Sequence, residues 1–139
     1  VAATPLAGFP RATGDRLDNI TMDAESRGRR YGPDGRLLTS PAGAMGEMQV
    51  MPATARDPGF GLKPADPNNP DDLARLGREY RATMEKRYGG DPAKMWGAYN
   101  AGPGTVDRLS GKHGPSWLQY APRETQTYVQ RNLRKLRGY

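Results

Sequence analysis

The sequence predicts a mainly α domain of packed short helices around a cleft. Two observations carry this. Apolar residues recur at helical spacing in segment after segment, and prolines and glycines mark where those segments start and stop. No stretch shows the strict alternation of a half-buried strand. With 139 residues the chain suits one domain. Its 35% hydrophobic and 26% charged residues describe a globular chain that can build a core.

Residues 1–14 have no periodicity and read as a linker or N-terminal arm, with the folded domain over 15–139. Asp15 is positioned to cap a first helix. Leu17, Ile20 and Ala24 then fall on one face, and the helix should end near Ser26–Gly28. Residues 29–48 read as loop. Gly32-Pro33-Asp34-Gly35 forms a strong turn signal, with Leu37 and Leu38 in a short hairpin or anchoring the loop. Pro52 opens a short helix that Asp57-Pro58-Gly59 stops.

Asn69-Pro70-Asp71-Asp72 starts a long helix: a cap, a first-turn proline and two acids at the positive dipole end. Its inward stripe is Leu73, Leu76, Tyr80, Met84 and Tyr88. Asp91-Pro92 repeats the start signal for a helix with Met95, Trp96 and Tyr99, ending at Gly102-Pro103-Gly104. A short helix holds Val106 and Leu109. The last begins near Pro122 and should bury Tyr128, Val129, Leu133 and Leu136.

The absence of cysteine excludes disulfides and thiolate metal sites. No apolar run is long enough to span a bilayer. The chain begins at Val1 and shows no leader, as a trimmed or excised domain would. The net charge of +6 favours polyanions, such as carboxylate-rich wall polymer, lipid heads or nucleic acid. The basic residues of the tail, Arg123, Arg131, Arg134, Lys135 and Arg137, read as a solvated helix face. His113 is the only histidine and reads as a solvent-facing loop residue.

Four short segments carry candidate chemistry. Glu25 lies at the C-terminal end of the first helix, bordering its apolar face. Burial and the negative helix end both favour its protonated form, which a general acid needs; a glutamate there is also commonly a surface residue. In Gly43-Ala44-Met45-Gly46-Glu47-Met48-Gln49-Val50-Met51-Pro52, small residues allow close backbone approach and Gln49 offers donor and acceptor groups to a sugar; the methionines serve equally well as packing. In Ala98-Tyr99-Asn100-Ala101-Gly102, Asn100 could be an ordinary helix-end residue and Tyr99 a core residue. Glu124 and Tyr128 share a helix face, though Glu124 also complements the dipole and Tyr128 suits a core.

Taken singly these segments are ambiguous; in order and together they are not. The chain resembles the lytic transglycosylase family with the soluble-lytic-transglycosylase, goose-lysozyme-like domain. Glu25-Ser26 is similar to its catalytic Glu-Ser pair. Ser40, Ala42-Gly43-Ala44 and Gly46-x-Met48-Gln49-Val50-Met51-Pro52-x-Thr54-Ala55 resemble its second motif. Ala98-Tyr99-Asn100-Ala101-Gly102 resembles the third, and Glu124-Thr125-x-x-Tyr128-Val129 the fourth. The likeness covers about residues 16–136. Two departures stand out: Glu47 occupies a usually apolar position, and the loop from Ser26 to Ser40 is longer than in many members. Asp57-Pro58-Gly59-Phe60-Gly61 resembles transglycosylase domains of bacteriophage virion proteins.

The resemblance implies a lysozyme-like fold and non-hydrolytic cleavage of the β-1,4 bond between N-acetylmuramic acid and N-acetylglucosamine in peptidoglycan, leaving a 1,6-anhydro end. Glu25 would be the single general acid and base. Ser40, Gln49, Tyr99 and Asn100 would hold sugar, and Tyr128 would hydrogen-bond and orient Glu25. Ser26 and Glu124 would have supporting roles. The resemblance implies no metal and no cofactor. The partner is glycan strand, not nucleic acid, and the domain would act as a monomer at the bacterial cell envelope or from a phage virion. Two rival readings remain. One is a goose-lysozyme-like hydrolase, for which Asp34 or Glu47 would activate water. The other is a non-catalytic basic module binding wall polymer or nucleic acid.

Overall fold

A computed structural model describes residues 9–138, with side chains from Arg16 onward. Of the expected arm, residues 1–8 lie outside the described residues. The elements are α1 (Phe9–Ser26), α2 (Pro52–Arg56), α3 (Pro70–Arg87), α4 (Pro92–Ala101), α5 (Pro103–His113), a 3₁₀ helix (Gly114–Tyr120) and α6 (Arg123–Gly138). No extended strand forms among the described residues; the only β-type pairs are isolated bridges. The expectation of a mainly α fold holds. The chain divides into two units, Val1–Arg78 and Glu79–Tyr139. The first half of α3 belongs to one and the rest of that helix to the other.

In the first unit α1 begins at Phe9, six residues before the expected start at Asp15. Asp15 therefore lies inside the helix and does not cap it. Pro10 accounts for the earlier start, since proline is tolerated in a first turn, where its missing N–H has no intrahelical partner to lose. Leu17 and Ile20 are buried as their spacing predicts. The helix ends where expected. Arg27 and Gly28 take positive φ angles of 56° and 76°, and their N–H groups reach back to Asp23 and Met22.

The following loop folds on itself through bridges Tyr31–Leu37, Thr39–Met45 and Met45–Val50. The short hairpin is thus real; the Gly32 N–H closes it on the Arg36 carbonyl at 2.8 Å. Beyond α2, Arg75 donates to the carbonyls of Lys63 and Pro64, both at 3.0 Å, and ties the proline-rich stretch to α3. Met48, 1% exposed, packs directly on Gly77 of α3.

In the second unit Asp91 caps α4 by accepting from the N–H groups of Ala93 and Lys94. Met84, Met95, Trp96, Val106 and Val129 form a core with no exposed surface. Burying a large apolar side chain of this kind stabilises by roughly 1.5–3 kcal/mol. The 3₁₀ helix was not legible in the sequence. It buries Trp117, whose ring lies on Gly97, where no larger residue fits. The inward face of α6 differs from the expected one. Thr125, Val129 and Asn132 point inward, while Tyr128, Leu133 and Leu136 are half-buried. Helical spacing of four and three puts Thr125 and Asn132 on the Val129 face.

Candidate functional site

Glu25 is the penultimate residue of α1 and is half-buried. Its neighbour Ser26 is buried, and the Ser26 hydroxyl lies within donating distance of two carbonyls. One is Met22 of its own helix at 3.0 Å; the other is Glu47 at 2.9 Å. This contact brings the second candidate segment against the Glu25 end of α1. Gln49 sits two residues beyond Glu47 in the left-handed region, at φ 51°. A residue other than glycine held there costs free energy, and such outliers concentrate at functional sites. The Gln49 side-chain amide donates to the Gly46 carbonyl at 2.8 Å, so the amide plane is fixed and the side-chain oxygen remains to accept from a ligand. Ser40 is half-buried and serves its own turn: its Oγ accepts from the Ala44 N–H at 3.0 Å and its carbonyl from Gly43 at 2.9 Å.

Arg30 holds Glu47. Its Nε and Nη2 reach both carboxylate oxygens at 2.9–3.2 Å, and its Nη1 donates to Asp71 at 2.7 Å. The Glu47 side chain is only 13% exposed. Burial alone would push its carboxyl up. The Arg30 hydrogen bonds, a backbone hydrogen bond and the charges of Arg30 and Arg78 together more than offset that and hold it below the ordinary value. A carboxylate gripped at both oxygens is poorly placed to activate water, which weakens the hydrolase reading at Glu47. Asp34, the other candidate, accepts from the Arg36 N–H at the hairpin tip. A cavity of about 690 Å³ there is lined by residues 32–34 and 36–39 and holds none of the expected sugar-binding residues.

In the second unit Tyr99 is half-buried, and its ring meets Tyr80 edge to face with centroids 6.1 Å apart. Burial pushes the Tyr80 hydroxyl up from its ordinary value. Asn100 accepts a hydrogen bond at Oδ1 from the Thr125 hydroxyl, which joins α4 to α6. Asn100, Arg108, Tyr120, Glu124 and Thr125 line one open cavity of about 590 Å³. Glu124 is exposed in the first turn of α6, and Tyr128 is half-buried one turn on. His113 corrects its expected place. It ends α5, is half-buried, and stacks on Tyr120 at 3.6 Å with 7° between the planes. Tyr120, more than half exposed, was not singled out in the sequence; only the fold places it beside Asn100 in the cavity wall.

Among the described residues, no three His, Cys, Asp or Glu side chains are grouped to hold a metal ion. No helix there is long and apolar enough to cross a membrane. Basic and acidic residues balance over residues 1–78, so the whole net charge of +6 lies in residues 79–139.

This helical fold is shared with bacterial lytic transglycosylases. The 70 kDa soluble lytic transglycosylase of Escherichia coli is 26% identical, with a TM-score of 0.67 over 84% of this chain and 20% of its own. An inactive mutant of the lytic transglycosylase Slt of Pseudomonas aeruginosa, with a glutamate changed to glutamine, is 27% identical. Its TM-score is 0.68 over 94% of this chain and 23% of its own. The chain thus spans about a fifth of the length of these proteins. The transglycosylase SLT domain model matches residues 22–116, and the chain belongs to that family. The matched segment contains Glu25, Gln49 and Asn100; Glu124 and Tyr128 follow it.

Proposed function

We propose that this chain is the catalytic domain of a peptidoglycan lytic transglycosylase, with Glu25 as its single general acid and base. One observation carries the proposal. Within the family-matched segment, Ser26 ties the Glu25 end of α1 to the turn that bears Gln49. The P. aeruginosa relative, inactive when a glutamate becomes glutamine, supports a glutamate as the essential group.

The reaction follows from one carboxyl group. Protonated Glu25 donates its proton to the glycosidic oxygen as the bond from the muramic acid anomeric carbon breaks. The C–O bond electrons leave with the N-acetylglucosamine, which departs as an alcohol. The Glu25 carboxylate then takes the proton from the muramic 6-hydroxyl as that oxygen bonds to the anomeric carbon. The 1,6-anhydro ring closes and Glu25 is protonated again, with no water consumed. The nucleophile is part of the substrate, so effective concentration replaces an activated water. No second catalytic carboxylate is needed, in contrast with the usual pair in glycosidases.

Gln49 would accept from a sugar hydroxyl or amide N–H through its side-chain oxygen. Asn100, with Oδ1 taken by Thr125, would donate through its NH₂ to a substrate carbonyl such as that of an N-acetyl group. Ser40 and Tyr99 would complete the sugar contacts, and Tyr128 keeps the supporting role that the resemblance gives it. The basic excess of residues 79–139 suits a wall polymer carrying carboxylates. The domain works as a monomer on glycan strands of the cell envelope, delivered from the cell itself or by a phage virion.

Replacing Glu25 with glutamine tests the assignment. Clearing of purified cell walls should fall by roughly 10²–10⁴, the contribution of general acid–base catalysis. Wall binding should survive. Clearing by the Gln variant at near-wild-type rate would remove Glu25 from the mechanism.

A further inference from the structure

We propose that Arg30 and Glu47 are a positioning pair that fixes the Gln49 turn against the Glu25 end of α1, an inference that rests on the catalytic role given to Glu25 above. Glu47 faces two ways. Its backbone carbonyl lies 2.9 Å from the Ser26 hydroxyl, on the residue that follows Glu25. Its carboxylate is gripped at both oxygens by Arg30, just past the end of α1. The third arm of Arg30 reaches Asp71 in the first turn of α3. Arg30 also fixes the loop through its main chain, where its carbonyl accepts from the Leu38 N–H at 2.8 Å.

The result is a short rigid path. Arg30 sets the Glu47 side chain, the Glu47 peptide sets Ser26, and the Gly46–Gln49 turn stays closed by the Gln49 amide on the Gly46 carbonyl. A fork of two parallel charge-assisted hydrogen bonds fixes direction as well as distance, which a single contact or an apolar side chain does not. The largely buried carboxylate makes the pair less exposed to screening than a surface ion pair. The residue that Arg30 grips is thus the one whose peptide group touches Ser26. Neither Arg30 nor Glu47 is assigned a contact with substrate. Their effect runs through Ser26 and Gln49.

The test measures kcat, KM and melting temperature for Glu47→Gln, Arg30→Lys and the double variant Arg30→Gln/Glu47→Gln on purified peptidoglycan. Arg30→Lys keeps the charge but loses the fork. Assays are run far enough below each melting point that every variant is fully folded. The expected result is a kcat loss of roughly 10-fold to 100-fold in each, the scale of small misplacements around a reacting centre. KM should rise as well, because the Gln49 contact to sugar shifts with its turn, so kcat and KM are read separately. The double variant should be no worse than the poorer single one, because residues acting as a unit are not additive. Charge exchange, Arg30→Glu with Glu47→Arg, should recover part of the lost kcat. Lower melting points with unchanged kcat would overturn the proposal and leave the pair purely structural. Failure of the Glu25 reading looks different: Glu25→Gln would then clear walls at near-wild-type rate, whatever the pair variants do.

Discussion

The hydroxyl of Thr125 donates to the side-chain oxygen of Asn100 at 2.7 Å and thereby decides which end of that amide faces the cavity. Thr125 is 2% exposed, so no solvent competes for the bond. Thr125→Val keeps the shape and removes the donor. The Asn100 amide is then free to turn its oxygen outward, where it opposes a substrate carbonyl. A hydrogen bond of about 1–1.5 kcal/mol is at stake, so KM for a muropeptide substrate should rise by roughly 5- to 10-fold. An unchanged KM would show that the orientation of Asn100 does not matter to binding.

Two glycine-to-alanine changes should move stability in opposite directions. In a helix interior alanine is favoured over glycine by about 1 kcal/mol. At Gly111 of α5 nothing lies within 4 Å of the added carbon, so Gly111→Ala should raise the melting point. At Gly77 of α3 the same carbon would sit 2.4 Å from Cβ and 2.7 Å from Cγ of Met48. Overpacking of that kind costs about 1–3 kcal/mol and wins over propensity. Gly77→Ala should therefore melt several degrees lower. It should also lose activity, because Met48 precedes Gln49. Equal, upward shifts in both variants, read by calorimetry, would contradict the Met48–Gly77 contact.

The Arg30–Glu47 pair gives stability a defined pH dependence. The Glu47 carboxyl is held below its ordinary value of 4.5 in the folded chain. A depressed carboxyl contributes stability above its unfolded value and loses it as pH falls through the folded one. The melting-point advantage of the wild type over Glu47→Gln should therefore be constant near neutrality. It should narrow below about pH 4.5 and vanish once the folded carboxyl is protonated. The difference between the two proteins cancels the other acids titrating there, Asp72 and Asp107 among them. An advantage that persists or grows at low pH would mean that Glu47 is not the ionised partner of Arg30.

Much of this architecture was legible because proline and glycine act locally. Pro52, Pro70, Pro92 and Pro103 each open a helix, and Asp91 caps one, as first-turn chemistry requires. What escaped was decided by tertiary contacts. The start of α1 is the exception: Pro10 is itself a first-turn signal, and Asp15 is only the more obvious cap. Trp117 lies in a 3₁₀ helix too short for periodicity, and its burial depends on Gly97 being bare. Thr125 and Asn132 turn inward on α6 although their polarity argued for solvent. For the site, the Glu25-Ser26 pair and the Gln49 segment were identifiable by motif. The ion pair supporting them joins two loop residues seventeen positions apart, and no local rule connects residues at that separation.

The account stands or falls on what replaces the broken glycosidic bond, and mass spectrometry of the fragments released from purified peptidoglycan reads this directly. Intramolecular attack by the 6-hydroxyl predicts muramic ends that are lighter by one water than hydrolysis products and resist borohydride reduction. Fragments ending in reducible muramic acid, with no anhydro ends, would show that water is the nucleophile and that Glu25 does not complete the cycle alone.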